Sequence, residues 1–367
     1  MKQKLLLILT VLFTTVFINA SATKTVTDST GRMVEIPVKI NRIICSGAGC
    51  LRLITYMNAQ DLVIGVDDIE KRDNISDARS YAIANPRYKN LPLIGEFRGN
   101  DNPELILNLN PAPDVIFKVY STSGHDAVEL EDKTGIPVII LKYGDLSYNK
   151  SDLFGSLRLI GNVLGKTKRA EEIISFIDRT FDDLDRRTKD ISDSRKKTCF
   201  IGGVAQAGSH GFNSTEPAYS PFKMINALNT AFDKSKTPKE LAHAYISKEK
   251  IIEWDPDVLF IDLSTLQTTE EGNALYELAN DPVYSELDAV KKGEVYGLLP
   301  YNWYSTNFDS VIANAYYAGK VLFPDRFKDV DPQKKADEIF RFFAGEPVFD
   351  KLDRTFGGKV FKKIKVK

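Results

Sequence analysis

Residues 166–191 form the stretch of this sequence that most constrains its fold. Apolar side chains recur there with the i, i+3, i+4, i+7 spacing of one helix face, at Ala170, Ile173, Ile174, Ile177, Phe181 and Leu184. The other face is charged, and neither Pro nor Gly interrupts the stretch after Gly165. A helix of about 26 residues would extend about 39 Å. Because similar sequence patterns lie on both sides, we interpret this stretch as a stiff linking helix between two similar lobes.

Short apolar strands alternate with helices on both sides of the linking helix. The predicted strands are residues 42–45, 62–66, 114–119 and 137–141, then 197–203, 257–262 and 294–298. This alternation predicts an α/β fold, with two Rossmann-like lobes built on central parallel sheets and joined by one long α-helix. The expected domains are an N-terminal α/β lobe (residues 23–165), the linking helix (residues 166–191) and a C-terminal α/β lobe (residues 192–367).

An internal repeat supports the relation between the two lobes. The sequence NPELILNLNPAPDVIF at residues 102–117 resembles SKEKIIEWDPDVLF at residues 247–260. Each copy has a helix-capping residue, a Glu two residues later, an apolar helix, a Pro and then a strand. The alternative is that helix–Pro–strand units recur by chance in α/β proteins.

The amino terminus has the composition of a secretory signal peptide. Lys2 and Lys4 precede an apolar run at residues 5–18, which is short for a membrane span, and Ala20-Ser21-Ala22 fits a cleavage site. We therefore expect residues 1–22 to be removed, with cleavage near Ala22, and the protein to be exported to the periplasm. An uncleaved membrane anchor is the alternative interpretation.

Charge and cysteine content exclude some functional classes. Lys and Arg number 49 against 50 Asp and Glu, so the basic surplus typical of nucleic-acid-binding proteins is missing. The three cysteines are Cys45, Cys50 and Cys199, with no CxxC or HExxH zinc motif. Whether Cys45 and Cys50 form a disulfide stays open, and small buried side chains are the other interpretation.

The ordered set of motifs resembles a known family. The segments are VTDSTGRMVEIPVKINRII, DLVIGVDD, NPELILNLNPAPDVIF, GIPVIIL, LIGNVLGKTKRAEEII, ISKEKIIEWDPDVLFIDL, ELDAVKKGEVYGLLP and VLFPDRFKDVD. Together they are similar to the periplasmic substrate-binding proteins of iron-siderophore, haem and cobalamin ABC importers, the class III receptors with a helical backbone.

This resemblance implies a binder and not an enzyme. It implies a monomer that captures an iron chelate (a siderophore complex or haem) or a corrinoid between its lobes, with no covalently bound cofactor, and delivers it to an ABC permease and its ATPase. One alternative is the same architecture binding a bare metal ion or an oxyanion such as molybdate. A remote alternative is a cysteine-dependent enzyme that uses Cys50.

Ligands of open α/β sheets bind beyond the carboxyl ends of the strands, so the loops that follow strands are the candidates for the site. In the first lobe these are residues 46–50, 67–72, 96–100 and 120–125. In the second lobe they are residues 208–219, 264–268 and 300–304. The candidate ligand-binding residues are Arg98, Tyr120, His210, Asn213, Tyr219, Tyr301, Trp303 and Tyr304.

The chemistry of these side chains suits a large organic ligand with some negative charge. Clustered aromatic residues offer wide apolar faces and a few hydrogen bonds, and Arg98 is suited to a carboxylate or an anionic chelate. Aromatic packing at a lobe edge and a surface salt bridge of Arg98 are the alternatives. His210 and Tyr219 are the candidates for direct metal coordination, with Glu216 and Tyr301 as possible additions. His125 is a weaker ligand candidate, and His243, which has no informative sequence context, is expected to be a surface residue.

The resemblance also implies docking of each lobe on the permease through an acidic residue. Glu104 and Glu249 occupy matching places in the two repeat copies and are the candidates. Stabilisation of the helix dipole is an alternative role for a Glu at a helix start. Glu96 or Glu253 could serve in their place.

Overall fold

The computed structural model describes residues 22–72, 76–119, 126–270 and 272–366. The strands in these ranges are β1 (Thr23–Thr27), β2 (Met33–Pro37), β3 (Ile43–Ser46), β4 (Val63–Gly65), β5 (Gly95–Glu96), β6 (Asn100–Asp101), β7 (Val115–Val119), β8 (Val138–Leu141), β9 (Thr198–Gly202), β10 (Ser214–Thr215), β11 (Leu228–Asn229), β12 (Ala244–Tyr245), β13 (Val258–Asp262) and β14 (Val295–Leu298). The α-helices are α1 (Cys50–Tyr56), α2 (Ser80–Ala84), α3 (Pro103–Leu107), α4 (Ala127–Thr134), α5 (Lys150–Leu164), α6 (Thr167–Thr188), α7 (Ser220–Met224), α8 (Pro238–Leu241), α9 (Lys248–Trp254), α10 (Ala274–Asn280), α11 (Asp288–Lys291), α12 (Phe308–Leu322), α13 (Pro332–Ala344) and α14 (Phe349–Thr355).

Two four-stranded parallel sheets form the centres of the two lobes. The first has the strand order β4-β3-β7-β8 and the second has the order β11-β9-β13-β14. Numbered by their place within each lobe, both orders are 2-1-3-4, so the two sheets share one topology. The parallel α/β architecture predicted from the sequence is therefore confirmed. The third strand of each sheet, β7 and β13, is buried over its whole length, as expected for sheets covered on both faces.

The repeated unit occupies the same place in both lobes. α3 precedes β7 and α9 precedes β13, and each of these strands is the third of its sheet. The Asn102 side chain accepts hydrogen bonds from the backbone N–H groups of Glu104 and Leu105, and the Ser247 side chain accepts one from Lys250. Both residues satisfy backbone donors that the first helical turn leaves unpaired, as the sequence predicted.

The linking helix is α6, with 22 residues instead of about 26. Its buried face contains Ala170, Ile173, Ile174, Ile177, Thr180, Leu184 and Thr188. Phe181, which we expected on that face, is only partly buried and packs at its edge, where the ammonium of Lys150 lies 4.6 Å from the ring centroid. The helix ends earlier than predicted because the chain turns after Thr188, where Ile191 N–H bonds to the Thr188 carbonyl.

The hydrophobic core continues from one lobe to the other through the carboxyl-terminal helices. α13 packs against α1 of the N-terminal lobe, where the Phe343 ring lies 4.8 Å from the Tyr56 ring. On the linking helix, the Phe176 ring stacks 4.2 Å from the Phe342 ring. The linking helix is therefore not alone in holding the lobes together, and the exact domain boundaries stay a prediction.

The end of the chain covers the open edge of the second sheet. Ile364 N–H bonds to the Val295 carbonyl at 2.8 Å, and Phe361 N–H bonds to the Gly297 carbonyl at 3.0 Å. An edge strand covered in this way cannot template pairing with another chain. Within the described ranges, no helix combines the length and the apolar character that a membrane crossing needs.

Candidate functional site

A cavity of about 880 Å³ lies where the carboxyl ends of strands from both sheets approach each other. The N-terminal lobe contributes Ala48, Ile69, Arg72, Ser76, Phe97 and Arg98 to its walls. The C-terminal lobe contributes residues 205–208, 266, 267, 269 and 302–305. Six of the seven candidate loops supply lining residues, and the seventh, residues 120–125, lies outside the described residues. The cavity has the size of sites that enclose small organic ligands.

Two arginines contact one aromatic ring on the N-terminal wall. The guanidinium carbon of Arg72 lies 4.3 Å from the Phe97 ring centroid, and that of Arg98 lies 4.9 Å from it. Asp68 orients this group, because its carboxylate accepts from Arg72 Nη2 at 2.6 Å and from Phe97 N–H at 2.7 Å. The Nε and Nη2 donors of Arg72 both bind the Asp68 carboxylate, at 3.1 and 2.6 Å, so an anion that pairs with this edge would have to displace Asp68. Two guanidinium groups and the Asp68 carboxylate therefore lie together at one end of the cavity.

Tyr304 connects the opposite wall to this group. Its hydroxyl donates to the Asp67 carboxylate and accepts from Arg98 N–H at 2.9 Å. Burial, together with the neighbouring Glu70 carboxylate, raises the pKa of the Asp67 carboxyl from its ordinary 3.8 to about 7. Tyr304 belongs to the C-terminal lobe and its partners Asp67 and Arg98 belong to the N-terminal lobe, so these hydrogen bonds join the two lobes beside the cavity.

Three of the predicted ligand-binding residues line the cavity. Arg98 lies on the N-terminal wall, and Trp303 and Tyr304 lie on the loop at residues 302–306. Asn302 and Thr306 form an antiparallel bridge, so this loop is a small hairpin that presents its aromatic side chains. Their contact with a ligand remains a prediction.

Two predicted tyrosines lie in the interior of the C-terminal lobe instead. Tyr219 is 0% exposed and Tyr301 is 3% exposed. Tyr301 donates to the Glu216 carboxylate at 2.9 Å, and Tyr219 accepts from the Asn314 amide at 3.2 Å. The Tyr301 backbone is held by Asp262, which accepts from its N–H at 2.8 Å, and the Tyr219 ring packs 5.0 Å from the Tyr301 ring. The structure therefore does not place them on the cavity wall.

His210 and Asn213 lie near the cavity but do not line it. His210 contacts the Gln206 carbonyl at 2.7 Å and packs with His243 and Tyr245, so His243 is not an isolated surface residue. The Asn213 carbonyl accepts from Ile246 N–H at 2.9 Å. Tyr120 and His125 belong to the undescribed segment at residues 120–125.

The described side chains do not assemble a metal centre. In residues 22–72, 76–119, 126–270 and 272–366, no three His, Cys, Asp or Glu side chains come together in a way that could hold a metal ion. The candidate ligand Tyr219 is unsuited to coordination here, because burial raises the pKa of its phenol well above the ordinary value.

The three cysteines are buried free thiols, so Cys45 and Cys50 form no disulfide in this structure. Cys50 is 0% exposed and its thiol donates to the Phe117 carbonyl at 3.3 Å. Burial raises the pKa of Cys45 and of Cys199, the opposite of what a reactive thiolate needs. This environment gives no support to a cysteine nucleophile.

Several lining residues were missed by the sequence analysis. Arg72 and Phe97 belong to two different candidate loops. Their contact therefore could not be recognised from any local sequence pattern. Gln206, Gln267 and Asn302 add exposed or partly exposed amide groups around the cavity. Amides are common in any loop, so composition alone does not distinguish them.

Glu104 and Glu249 are exposed side chains in the first turns of α3 and α9. They therefore occupy equivalent positions on the two lobes, away from the residues that line the cavity. A second depression, of about 730 Å³, lies beside Glu104 and also includes Glu96 and Lys133.

Comparison with known proteins identifies a family and several relatives to which this chain is similar. A family model described as "Periplasmic binding protein" matches residues 56–301. The chain is 24% identical to the molybdate-binding protein MolA of Haemophilus influenzae, over 94% of this chain and 97% of that protein. It is 25% identical to the Fe(3+)-citrate-binding protein YfmC of Bacillus subtilis, over 71% of this chain and 73% of that protein.

Solved structures share the fold at low sequence identity. A periplasmic solute binding protein from Veillonella parvula superposes with a TM-score of 0.68 at 21% identity, covering 91% of this chain and 97% of that one. MolA of Haemophilus influenzae bound to molybdate gives a TM-score of 0.66 at 21% identity, covering 88% and 98%. The periplasmic heme binding protein HutB of Vibrio cholerae gives 0.55 at 16% identity, covering 77% and 99%.

Proposed function

This chain belongs to the periplasmic binding protein family, and from that premise we propose that it captures an anionic metal chelate between its lobes and delivers it to an ABC permease. The chelate is an iron complex of a siderophore, citrate or porphyrin, or a corrinoid. The carrying observation is the pair of arginines, Arg72 and Arg98, stacked on Phe97 at one end of the cavity. Arginine recognises carboxylate and other oxyanion groups through paired hydrogen bonds, and at Arg72 an anionic ligand would take the place of the Asp68 carboxylate.

The opposite wall supports a ligand with organic faces. Trp303 and Tyr304 present aromatic surface, while Gln206, Gln267 and Asn302 offer amide groups. A cavity of about 880 Å³ has room for a multidentate chelate and its metal. Because the described side chains form no metal centre, the metal would arrive with its own ligands.

A bare oxyanion such as molybdate is the second candidate. It is favoured by the similarity to molybdate-binding MolA, which extends over 94% of this chain, and by the same two arginines. The aromatic wall and the size of the cavity favour the chelate, since a tetrahedral oxyanion would contact few of the lining groups.

A panel of ligands distinguishes the two candidates. Melting temperature would be measured with ferric citrate, hemin, cyanocobalamin, molybdate and tungstate. A ligand at 100 times its Kd adds about 2.7 kcal/mol to the free energy of unfolding, so a true ligand raises the melting temperature by several degrees. We expect one of the chelates to do so and the oxyanions to have no effect.

The arginines provide the matched variants. Arg72→Gln and Arg98→Gln should each weaken binding about tenfold or more, since a hydrogen bond to a charged group contributes about 1.5–3 kcal/mol. Arg186→Gln, an exposed arginine on the linking helix, should leave binding unchanged. A shift with molybdate alone would establish the second candidate, and no shift with any ligand would count against both.

We propose further that Glu104 and Glu249 dock the two lobes on arginines of the permease. Their exposure and their equivalent places in the repeat support this role. In a reconstituted importer, the double variant Glu104→Gln/Glu249→Gln should transport about tenfold more slowly, because docking charge pairs control association. Its ligand affinity should equal that of the unaltered protein. Normal transport by this variant, with a loss for Glu96→Gln/Glu253→Gln, would move the docking sites to the latter pair.

A further inference from the structure

Arg52 is a fully buried arginine whose guanidinium group reaches from one lobe to the other. It belongs to α1, which follows the first strand of the N-terminal sheet, and it is 0% exposed. Its Nη2 donates to the Trp303 carbonyl at 2.9 Å, and its Nη1 donates to the Thr306 carbonyl at 2.9 Å. These acceptors lie at either side of the tip of the loop at residues 302–306, which we call the cavity loop.

The cavity loop holds a conformation that its own residues do not favour. Tyr304 has a φ of 53° and Ser305 a φ of 75°, the left-handed region that non-glycine residues seldom adopt. Such residues are strained and persist where surrounding contacts over-determine them. The carbonyls that Arg52 binds flank these two residues directly.

Further contacts fix the position of Arg52 relative to the cavity loop. Arg52 Nη2 also donates to the Asn307 side-chain oxygen at 2.6 Å. The Tyr143 hydroxyl accepts from Arg52 and donates to the Thr306 carbonyl at 2.7 Å. The Tyr81 ring lies 5.1 Å from the guanidinium carbon. In the described part of the chain Arg52 forms no ion pair with a carboxylate. Most of its hydrogen bonds are donated to backbone carbonyls of the cavity loop.

We propose that Arg52 is the positioning residue that holds the cavity loop in its ligand-binding conformation, from the opposite lobe. The inference rests on the proposed function, because Asn302, Trp303, Tyr304 and Ser305 all line the cavity. The planar fork of arginine supplies several donors at fixed angles, two of which bind the carbonyls of Trp303 and Thr306, whereas lysine has a single ammonium group without that fixed geometry. A loosened loop would lower ligand affinity without any loss of a group that touches the ligand.

Trp303 allows a test that needs no ligand. The chain has two tryptophans, so Trp254→Phe leaves Trp303 as the sole indole reporter on the cavity loop. In that background, Arg52→Lys should shift the emission of Trp303 to longer wavelength and raise its acrylamide quenching constant about twofold. Arg169→Lys is the matched control, because Arg169 also donates to backbone carbonyls, those of Tyr56 and Phe342, but does not contact the loop. It should leave Trp303 unchanged.

Ligand binding completes the test, with ferric citrate as the probe and sodium molybdate as the second probe. Arg52→Lys should weaken binding of whichever probe the unaltered protein binds by about tenfold or more, and Arg169→Lys should not. If neither probe binds the unaltered protein, the proposed function is in question while the fluorescence result still decides the role of Arg52. Unchanged Trp303 fluorescence in a folded Arg52→Lys protein would overturn the proposal. If that variant fails to fold by circular dichroism, Tyr143→Phe replaces it, and an unchanged Trp303 signal there overturns the proposal equally.

Discussion

Glu216 is a buried carboxyl group that forms no ion pair in the described part of the chain. Its hydrogen-bond donor is the Tyr301 hydroxyl at 2.9 Å. Burial, with a smaller contribution from the Asp145 and Asp262 carboxylates, raises its pKa from the ordinary 4.5 to about 8, although the Tyr301 hydrogen bond and the Lys223 charge act in the opposite direction. Burial likewise raises the pKa of Asp262 to about 6. Acidic side chains in the interior therefore give this protein a stability that depends on pH.

We predict that the protein loses stability as pH rises from about 4.5 to about 8. In this window the folded state keeps the proton on Glu216 while the unfolded chain releases it, so the free energy of unfolding falls with rising pH. Glu216→Gln removes this contribution, and its melting temperature should decrease by several degrees less between pH 5 and pH 8 than that of the unaltered protein. Calorimetry at the two pH values measures the difference.

Glu171→Gln is the control for this prediction. Glu171 is an exposed residue of the linking helix whose pKa is lowered by its bond to Arg158, so it titrates below the window. Its replacement should leave the change between pH 5 and pH 8 as it is. Equal pH dependence in Glu216→Gln and the unaltered protein would show that Glu216 is ionised in the interior.

At the scale of single residues, the sequence predicted the loops of the cavity better than its side chains. Trp303 and Tyr304 line it, but Tyr301 in the same aromatic run turns inward to Glu216. Which of these three faces the cavity depends on Asp262, which fixes the Tyr301 backbone from a different strand. The role of Arg52 could not be predicted from the sequence. A lone arginine in an apolar helix does not reveal that its hydrogen-bond partners lie about 250 residues further along the chain.

The linking helix illustrates what can be predicted at the scale of elements. Periodicity located α6 and most of its buried face, because one apolar stripe and one charged face leave few other arrangements. The capping roles of Asn102 and Ser247 follow from equally local chemistry. The packing of α13 on α1 was not predicted, since a contact between helices so distant in sequence depends on the tertiary fold and not on a local pattern.

The linking helix should tolerate no break at its centre. Ile177 is 1% exposed in the middle of α6, and a proline there removes a backbone hydrogen bond and costs about 3 kcal/mol or more. We predict that Ile177→Pro lowers the melting temperature strongly and reduces transport in cells. Urea denaturation and uptake of the ligand measure the two effects.

Asp193→Pro provides the comparison in the connector that follows the helix. Asp193 opens a short 3-10 turn, and Ser192 before it is extended, the conformation that a following proline favours. This variant should fold and transport nearly normally. If both proline variants lost stability and transport to the same extent, the rigidity of α6 would not explain the loss.

At the scale of the whole molecule, two lobes with one topology are held by more than one connection. The linking helix, the packing of α13 on α1 and the contacts of Arg52 with the cavity loop all join the lobes. Such a framework favours small changes of the cavity over wide opening, because several packed contacts would have to break together. The charged residues differ in where they lie: Arg72 and Arg98 are inside the cleft, whereas Glu104 and Glu249 are exposed and do not line it.

Native mass spectrometry of freshly isolated protein, with metal analysis of the same sample, tests the central claim most directly. We expect one bound ligand per chain, a metal in equal amount, and loss of both in the Arg72→Gln/Arg98→Gln variant. Arg186→Gln should retain them. A metal-containing adduct that survives unchanged in the double variant, or protein that stays free of ligand and metal after exposure to native cell extract, would contradict it.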